Sequence, residues 1–237
     1  MMLKCELYLR IEKIKKQICD SFKDSDYFWD VYWREEFVKV SFIGEATGGL
    51  NVQEKRLAFE NAIETFKSCE MISLSGVEKV AERVSLNGRL FSPEFRKKCV
   101  SVRGGFPYGS SVKYSLPSDI DDELKTAFSR LNCLSVSSNV FDGKNIARIV
   151  KISSRFIVDF LRVHPFENGN GRVARILVAI ILAKKITLVP CPIFGSRKVW
   201  LKSVEEAMHF GNYELLERLV ANSILITLES IVFAFEL

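Results

Sequence analysis

Residues 172–183, RVARILVAIILA, are apolar on almost every side when they are placed on a helix. A helix that is apolar all round is buried, so this stretch predicts a helix through the centre of the core. A second apolar face at helical spacing precedes it, over residues 144–164. Its members are Ile146, Ile149, Val150, Ser153, Phe156, Ile157, Phe160 and Leu161. The chain is therefore predicted to be mainly α.

Shorter segments predict more helices around this core and one small β-hairpin. Two further amphipathic faces have the helical period. They are Leu7, Leu9, Ile11, Ile14 and Ile18 near the N-terminus, and Ile120, Leu124, Phe128 and Leu131 after Pro117. In contrast, CVSV at 99–102 and SVKYSL at 111–116 favour strands, and the glycine-containing RGGFPYGS joins them as a hairpin. The 237 residues suffice for one sizeable core with an appended part, which we place at residues 51–237 and 1–50.

The charge and cysteine patterns exclude several classes of protein. The net charge of +5 is mild and the lysines are scattered, so nucleic-acid binding is not expected. The six cysteines form no C-x-x-C pair and no His/Cys cluster, which argues against a zinc site and a disulfide framework. The longest apolar run, residues 176–183, is too short to cross a bilayer, and charges interrupt the apolar residues of the N-terminus. We therefore expect a cytoplasmic protein that binds no membrane.

The motif HPFENGNGR, residues 164–172, connects the two strongest helical segments. Pro165 disfavours helical geometry at the residue before it, so the first helix is predicted to end at His164. After a loop, Gly169-Asn170-Gly171 opens the second, buried helix. The motif is therefore predicted to form a helix–loop–helix elbow.

This elbow has the parts that phosphate chemistry needs. A helix N-terminus offers unpaired N–H groups and a partial positive charge, and glycines let an anion approach closely. Arg172 and Arg175 lie one turn apart, so both guanidiniums can converge on one polyphosphate. His164 is of the residue type that takes a proton from an alcohol near neutral pH. Each part also has a structural explanation: an ordinary turn, a structural histidine, or arginines that bind surface carboxylates. Both interpretations stay open on the residues alone.

Residues 164–175, HPFENGNGRVAR, resemble the signature of the Fic family, HPFx[D/E]GNGRxxR, at every specified position but one. The pattern FR-x-x-x-V-x-V at 95–102 and the hairpin after it resemble the family's flap, and RKVW at 197–200 resembles its Arg-x-x-Tyr. The resemblance implies a Fic-type helical bundle with a small β-hairpin flap, with the catalytic core in residues 51–237. It also implies an enzyme that transfers AMP from ATP to a Ser, Thr or Tyr hydroxyl of a target protein and releases pyrophosphate.

The resemblance also implies a role for each matching residue. His164 would be the general base, and Phe166 would anchor the loop in the core. The flap, near residues 113–116, would clamp the target segment by β-augmentation. Arg175 would reach the terminal phosphate, or an inhibitory carboxylate when the enzyme is off. The nucleotide-binding set would be Gly169, Asn170 and Gly171 as the phosphate cradle, Arg172 and Arg175 as phosphate ligands, and Trp200 in the base pocket.

Two positions relate to metal binding and regulation. In the family an acidic residue holds Mg²⁺ against the phosphates; here Asn168 occupies that position, and a neutral amide oxygen is a poorer ligand for a hard cation. Residues 41–45, SFIGE, resemble the first part of the family's inhibitory pattern [S/T]-x-x-x-E-[G/N], although Ala46 departs from its last position. Glu45 is therefore the predicted inhibitory carboxylate, and residues 1–50 hold the N-terminal helices with this segment.

Several functions stay open at this stage. The leading one is an AMP transferase that uses ATP, with Mg²⁺ as cofactor and a hydroxyl-bearing protein as partner. The same fold accommodates other donors, such as UTP, GTP or CDP-choline, because the motif binds phosphates and not bases. The change at Asn168 also fits a catalytically weakened module that binds nucleotides or proteins. A helical interaction protein is a third interpretation, and a homodimer is left open.

Overall fold

The computed structural model describes residues 2–21, 73–85, 92–102, 112–132, 142–187 and 190–234. Helices dominate these residues, which confirms the mainly α prediction. The helices are α1 (Met2–Ser21), α2 (Leu74–Val84), α3 (Ile120–Asn132), α4 (Gly143–Val163), α5 (Asn170–Leu182), α6 (Arg197–Phe210) and α7 (Glu214–Ala234). A short 3-10 turn, Pro117–Asp119, precedes α3, and a π-helical turn, Ala183–Thr187, extends α5.

Helix α5 lies in the core, as its sequence predicts. Every residue from Ile176 to Leu182 is buried. The long helix α4 packs against α5 and also contacts α1, α3, α6 and α7. The buried face of α4 includes Phe160, which is fully buried. Asp142 is the N-cap residue of α4, and its side chain accepts a hydrogen bond from the Asn145 N–H. The elbow therefore connects two central helices, α4 and α5, that pack against each other.

The N-terminal helix α1 packs against α4 and α7. Ile11 and Ile18 are fully buried, as the predicted apolar face requires. Leu9 was placed on the same face and this was wrong, because its side chain is 61% exposed. Two positions from Ile11 is a turn of about 200°, which points Leu9 away from the buried stripe. The predicted boundary between residues 50 and 51 lies outside the described residues.

A short antiparallel pair lies before α3. Strand β1 (Ser101–Val102) pairs with β2 (Val112–Lys113), with Ser101 opposite Lys113 and Val102 opposite Val112. The residues that would join them, 103–111, lie outside the described part of the chain, so the complete hairpin flap stays a prediction. After β2, the face of α3 that the sequence predicts is buried through Ile120, Leu124, Phe128 and Leu131.

None of the helices described here is both long and apolar enough to cross a membrane.

Candidate active site

Helix α4 ends at His164, as Pro165 predicts, but in an uncommon backbone conformation. His164 has φ 51° and ψ 58°, in the left-handed region, and its N–H donates to the Phe160 carbonyl at 2.9 Å. Among the described residues it alone combines a side chain with a positive φ. This conformation costs on the order of 1 kcal/mol for a residue with a side chain, and such strain concentrates at functional sites. The turn directs the chain into the loop of the motif.

The loop is fixed by Phe166 and Asn170. Phe166 is fully buried, and its ring packs against Phe95 with centroids 5.5 Å apart. The Phe166 N–H donates to Oδ1 of Asn170 at 3.0 Å, and Nδ2 of Asn170 donates to the Phe166 carbonyl at 2.8 Å. Both polar atoms of the Asn170 side chain are thus engaged with the loop. Any contact of Asn170 with phosphate falls to its main-chain N–H group.

The N-terminus of α5 faces the loop with its glycines. Gly169 is the N-cap, with φ 80°, and its carbonyl accepts the N–H of Val173 at 3.0 Å. The N–H groups of Asn170 and Gly171 precede Val173 in the first turn, where a helix offers them no intrahelical acceptor. A Cβ built on Gly171 would meet no atom of the described residues within 4 Å apart from its chain neighbours and the backbone of its own helix. This end of α5 has the form of an anion-binding site.

Arg172 and Arg175 follow on α5, and both are substantially buried. Burial lowers the pKa of Arg172, and it lowers the pKa of Arg175 to about 10. Arg175 still carries its positive charge at neutral pH. Its Cζ lies 5.1 Å from the centroid of the buried Trp200 ring on α6, in a cation–π contact. The structure therefore brings Trp200 next to Arg175, and the aromatic face supports the guanidinium.

The imidazole of His164 is largely buried and neutral. Burial, with a smaller contribution from the nearby Arg96 charge, lowers the pKa of His164 from 6.5 to about 4. The residue type alone predicts an ordinary pKa for His164, and this prediction is corrected here because the side chain is largely buried. The ring stacks on that of Tyr114, with centroids 3.9 Å apart and planes inclined by 18°. A neutral imidazole can accept a proton, although one with a lowered pKa is a weaker base.

The sequence predicts no individual role for Arg96, and none for Tyr114 beyond its place in the flap segment, residues 113–116, that is expected to clamp the target. Both lie in segments compared with the family's flap, Arg96 in the pattern at 95–102 and Tyr114 after β2. Arg96 is 3% exposed, and its Nε donates to the His164 carbonyl at 2.7 Å. A buried arginine is uncommon, but whether an arginine is buried cannot be determined from a single sequence. The pattern FR-x-x-x-V-x-V was the only available signal.

The residues at the proposed metal position do not form a cation site. Asn168 is exposed, and so is the neighbouring Glu167. The described residues contain no group of three or more His, Cys, Asp or Glu side chains that could hold a metal ion. Mg²⁺ is usually held by one or two carboxylates together with substrate phosphates. The single neutral oxygen of Asn168 does not match that requirement, so Mg²⁺ stays a prediction.

The predicted inhibitory residue Glu45 lies outside the described residues, so its relation to Arg175 stays a prediction.

Part of the chain matches a known protein family. The sequence profile of the Fic/DOC family matches residues 82–182, which include the whole elbow and α5. A 63-residue stretch is 42% identical to the ribonucleoside-diphosphate reductase small chain of Ostreid herpesvirus 1 (isolate France). It spans 27% of this chain and only 10% of that protein, so the likeness is local.

Solved structures share the fold along most of the chain. Fic-1 (residues 134–508) from C. elegans has a TM-score of 0.67 at 15% identity, covering 99% of this chain and 73% of that one. A Fic domain-containing signaling protein from Bacteroides thetaiotaomicron has a TM-score of 0.64 at 15% identity, covering 98% and 96%. The N-terminal Fic domain of a Bep effector protein from Bartonella quintana, solved with bound ADP, has a TM-score of 0.53 at 16% identity, covering 78% and 95%.

Residues 82–182 therefore match the Fic/DOC family model, and the chain shares its fold with solved Fic-domain proteins over nearly its whole length.

Proposed function

We propose that the protein is a nucleotidyltransferase that moves AMP from ATP to a hydroxyl of a target protein. One observation carries the proposal. His164, whose imidazole is neutral, is the C-cap residue of α4 and lies at one end of the loop. The N-terminus of α5, with Arg172 and Arg175, lies at the other end. A general base and an anion-binding helix end are thereby held by the same short segment.

The chemistry follows from the two sides of the loop. The N–H groups at the start of α5 and the two guanidiniums bind the phosphates of the nucleotide. The acceptor oxygen attacks the α-phosphorus and forms the new O–P bond, while the bond from this phosphorus to the α–β bridging oxygen breaks. Pyrophosphate leaves with that electron pair. His164 takes the proton of the acceptor hydroxyl. The products are an AMP-modified protein and pyrophosphate.

The position of Trp200 refines the proposed nucleotide site. Its ring is 8% exposed and contacts the Arg175 guanidinium. We propose that Trp200 mainly orients Arg175 toward the phosphates, and that lining the base pocket is a secondary role. The Bartonella quintana Fic domain was solved with bound ADP, which supports a nucleoside phosphate as the ligand here.

The target protein is proposed to dock beside Tyr114, near the base. Leu116, two residues after Tyr114, is 55% exposed and offers an apolar contact beside β2. A segment added to this edge would place a Ser, Thr or Tyr hydroxyl near His164. The acceptor is therefore a side chain in an extended segment of another protein.

A second candidate is a catalytically weakened nucleotide-binding module. Two observations favour it: Asn168 supplies no carboxylate, and the pKa of His164 is lowered to about 4, which weakens the base. In this case the chain would bind ATP at the same place and convert it slowly or not at all.

Labelled ATP distinguishes these candidates. The chain is incubated with a cell lysate and ATP labelled either on the α-phosphate or on the γ-phosphate. AMP transfer predicts that protein retains the α label and loses the γ label as pyrophosphate. Retention of the γ label would instead indicate phosphoryl transfer and contradict the proposal. Bound but unconverted ATP would identify the module. Competition by unlabelled UTP, GTP or CDP-choline then determines the preferred donor.

A further inference from the structure

The guanidinium of Arg96 connects the end of α4 to the segment after β2. Its Nε donates to the His164 carbonyl at 2.7 Å, and one terminal nitrogen donates to the Val163 carbonyl at 3.1 Å. The same terminal nitrogen donates to the Ser115 carbonyl at 2.5 Å, and the other donates to the Lys98 carbonyl at 2.9 Å. The charge is thus shared among four main-chain oxygens from three separate segments.

The end of a helix explains why an arginine suits this place. The last carbonyls of α4 have no intrahelical donor, and this end of the helix carries a partial negative charge. Arg96 supplies donors to two of these carbonyls, and its main-chain N–H donates to the Pro165 carbonyl at 2.8 Å. The Ser115 N–H donates to the next one back, the Arg162 carbonyl, at 3.4 Å. The left-handed turn at His164 is therefore held from outside the helix by Arg96 and Ser115.

The same contacts fix Tyr114 against the imidazole. Ser115 is the next residue in the chain: its N–H donates to the Arg162 carbonyl of α4, and its carbonyl accepts from the Arg96 guanidinium. This leaves the Tyr114 ring stacked face to face on His164 at 3.9 Å. Tyr114 is half-buried, and the stack covers one face of the imidazole.

We propose that Arg96 is a positioning residue: it holds Tyr114 stacked on His164 and thereby fixes the plane of the imidazole ring. The catalytic meaning of this arrangement rests on the proposed function, because a base must be aimed at the acceptor hydroxyl to take its proton. Misplacement by about 1 Å already lowers a rate substantially. The stack itself is a property of the fold and can be tested without any activity.

Two histidines, His164 and His209, make the test direct. A ring proton above an aromatic face is shifted upfield in its NMR spectrum. The imidazole carbon-bound protons are recorded at alkaline pH, where imidazoles are neutral, and assigned with His209→Gln. In the wild type, the His164 signals are expected upfield of free imidazole. Tyr114→Leu removes this displacement and Tyr114→Phe retains it, because only the ring is needed.

Arg96→Gln then tests the role of the guanidinium, and Arg148→Gln, on the exposed side of α4, is the matched control. The proposal predicts that Arg96→Gln abolishes the displacement while circular dichroism stays native, and that Arg148→Gln leaves it unchanged. If Arg96→Gln does not fold, Arg96→Lys decides. Lysine keeps the charge but lacks the fork that reaches both segments, so loss of the displacement is again expected. A folded Arg96 variant with the wild-type displacement overturns the proposal and assigns Arg96 a purely stabilising role.

Activity provides the second readout. In the labelling assay, Arg96→Lys should lower kcat at least tenfold and leave the ATP dissociation constant unchanged, since Arg96 contacts main-chain oxygens and not the phosphate site. If the wild type transfers no label, the proposed function fails, whereas the NMR result still decides whether Arg96 holds the stack. If the stack is lost and kcat is unchanged, the positioning role is wrong.

Discussion

The side chain of Asn170 is paired with the main chain of Phe166 through two reciprocal hydrogen bonds, of 3.0 and 2.8 Å. Because Asn170 is the first residue of α5, this pair closes the loop between His164 and the anion-binding end of the helix. The two hydrogen bonds fix the loop conformation in the absence of a ligand. It holds the base and the phosphate site in a fixed relation, which is what an in-line transfer between them requires.

Asn170→Asp is expected to lower the free energy of unfolding by about 2–3 kcal/mol, because a buried carbonyl loses its donor and faces a carboxylate instead. Urea unfolding at neutral pH measures the change. Asn168→Asp, on the exposed side of the same loop, is the matched control and should stay within about 0.5 kcal/mol of wild type. Equal stability of the two variants would show that the Asn170 pair does not hold the loop.

The lowered pKa of His164 predicts a pH dependence of stability. In the unfolded chain His164 binds a proton near pH 6.5, but in the native chain only near pH 4. Between these values the unfolded state binds more protons, so the free energy of unfolding rises with pH through this window. The full difference is at most about 3 kcal/mol. His164→Gln should remove this part of the slope, and His209→Gln measures what the other histidine contributes. An identical slope in wild type and His164→Gln would refute the buried neutral state.

Glu205 on α6 is fully buried, and neither carboxylate oxygen has a hydrogen-bond partner among the described residues. A buried polar group without a partner is destabilising, so Glu205→Leu should raise the free energy of unfolding by about 1–3 kcal/mol. The matched control is Lys202→Leu, at an exposed position one turn earlier, which should change it by less than about 0.5 kcal/mol. A destabilised Glu205→Leu would indicate that the carboxylate has a favourable partner in the native protein.

The neutral residue at 168 predicts weak use of Mg²⁺. Asn168→Asp adds a carboxylate beside the start of α5, and it should strengthen ATP binding in the presence of Mg²⁺ by on the order of fivefold, about 1 kcal/mol. With EDTA the same variant should bind ATP no better than wild type, because the new charge then only repels the phosphates. Calorimetric titrations with and without the metal measure both values. An Mg²⁺-independent gain, or no gain, would separate residue 168 from metal binding.

The local features of the elbow could be predicted from sequence. The end of α4 follows from Pro165, and the burial of α5 follows from its apolar composition, since both depend on neighbours in the chain. The hydrogen bonds from the Arg96 guanidinium to the end of α4 could not be predicted. They join residues as far as 68 positions apart, and they use main-chain oxygens that every residue carries. The pKa of His164 depends on packing by other segments and was missed for the same reason. The pairing of the Asn170 side chain with Phe166 could not be predicted either, because the sequence places Asn170 in the phosphate cradle and does not show what its amide contacts.

The role of His164 as the general base of AMP transfer is tested by protein labelling with ATP that carries a labelled α-phosphate. Initial rates are compared between wild type and His164→Gln. The ATP dissociation constants of both proteins are first measured by calorimetry. They should agree, because the imidazole has a proposed proton-transfer role and no proposed phosphate contact. We expect that wild type labels a target protein, and that His164→Gln binds ATP nearly as tightly but labels at least about a hundredfold more slowly. Equal labelling rates at equal ATP affinity would remove His164 from the mechanism and contradict the proposed function.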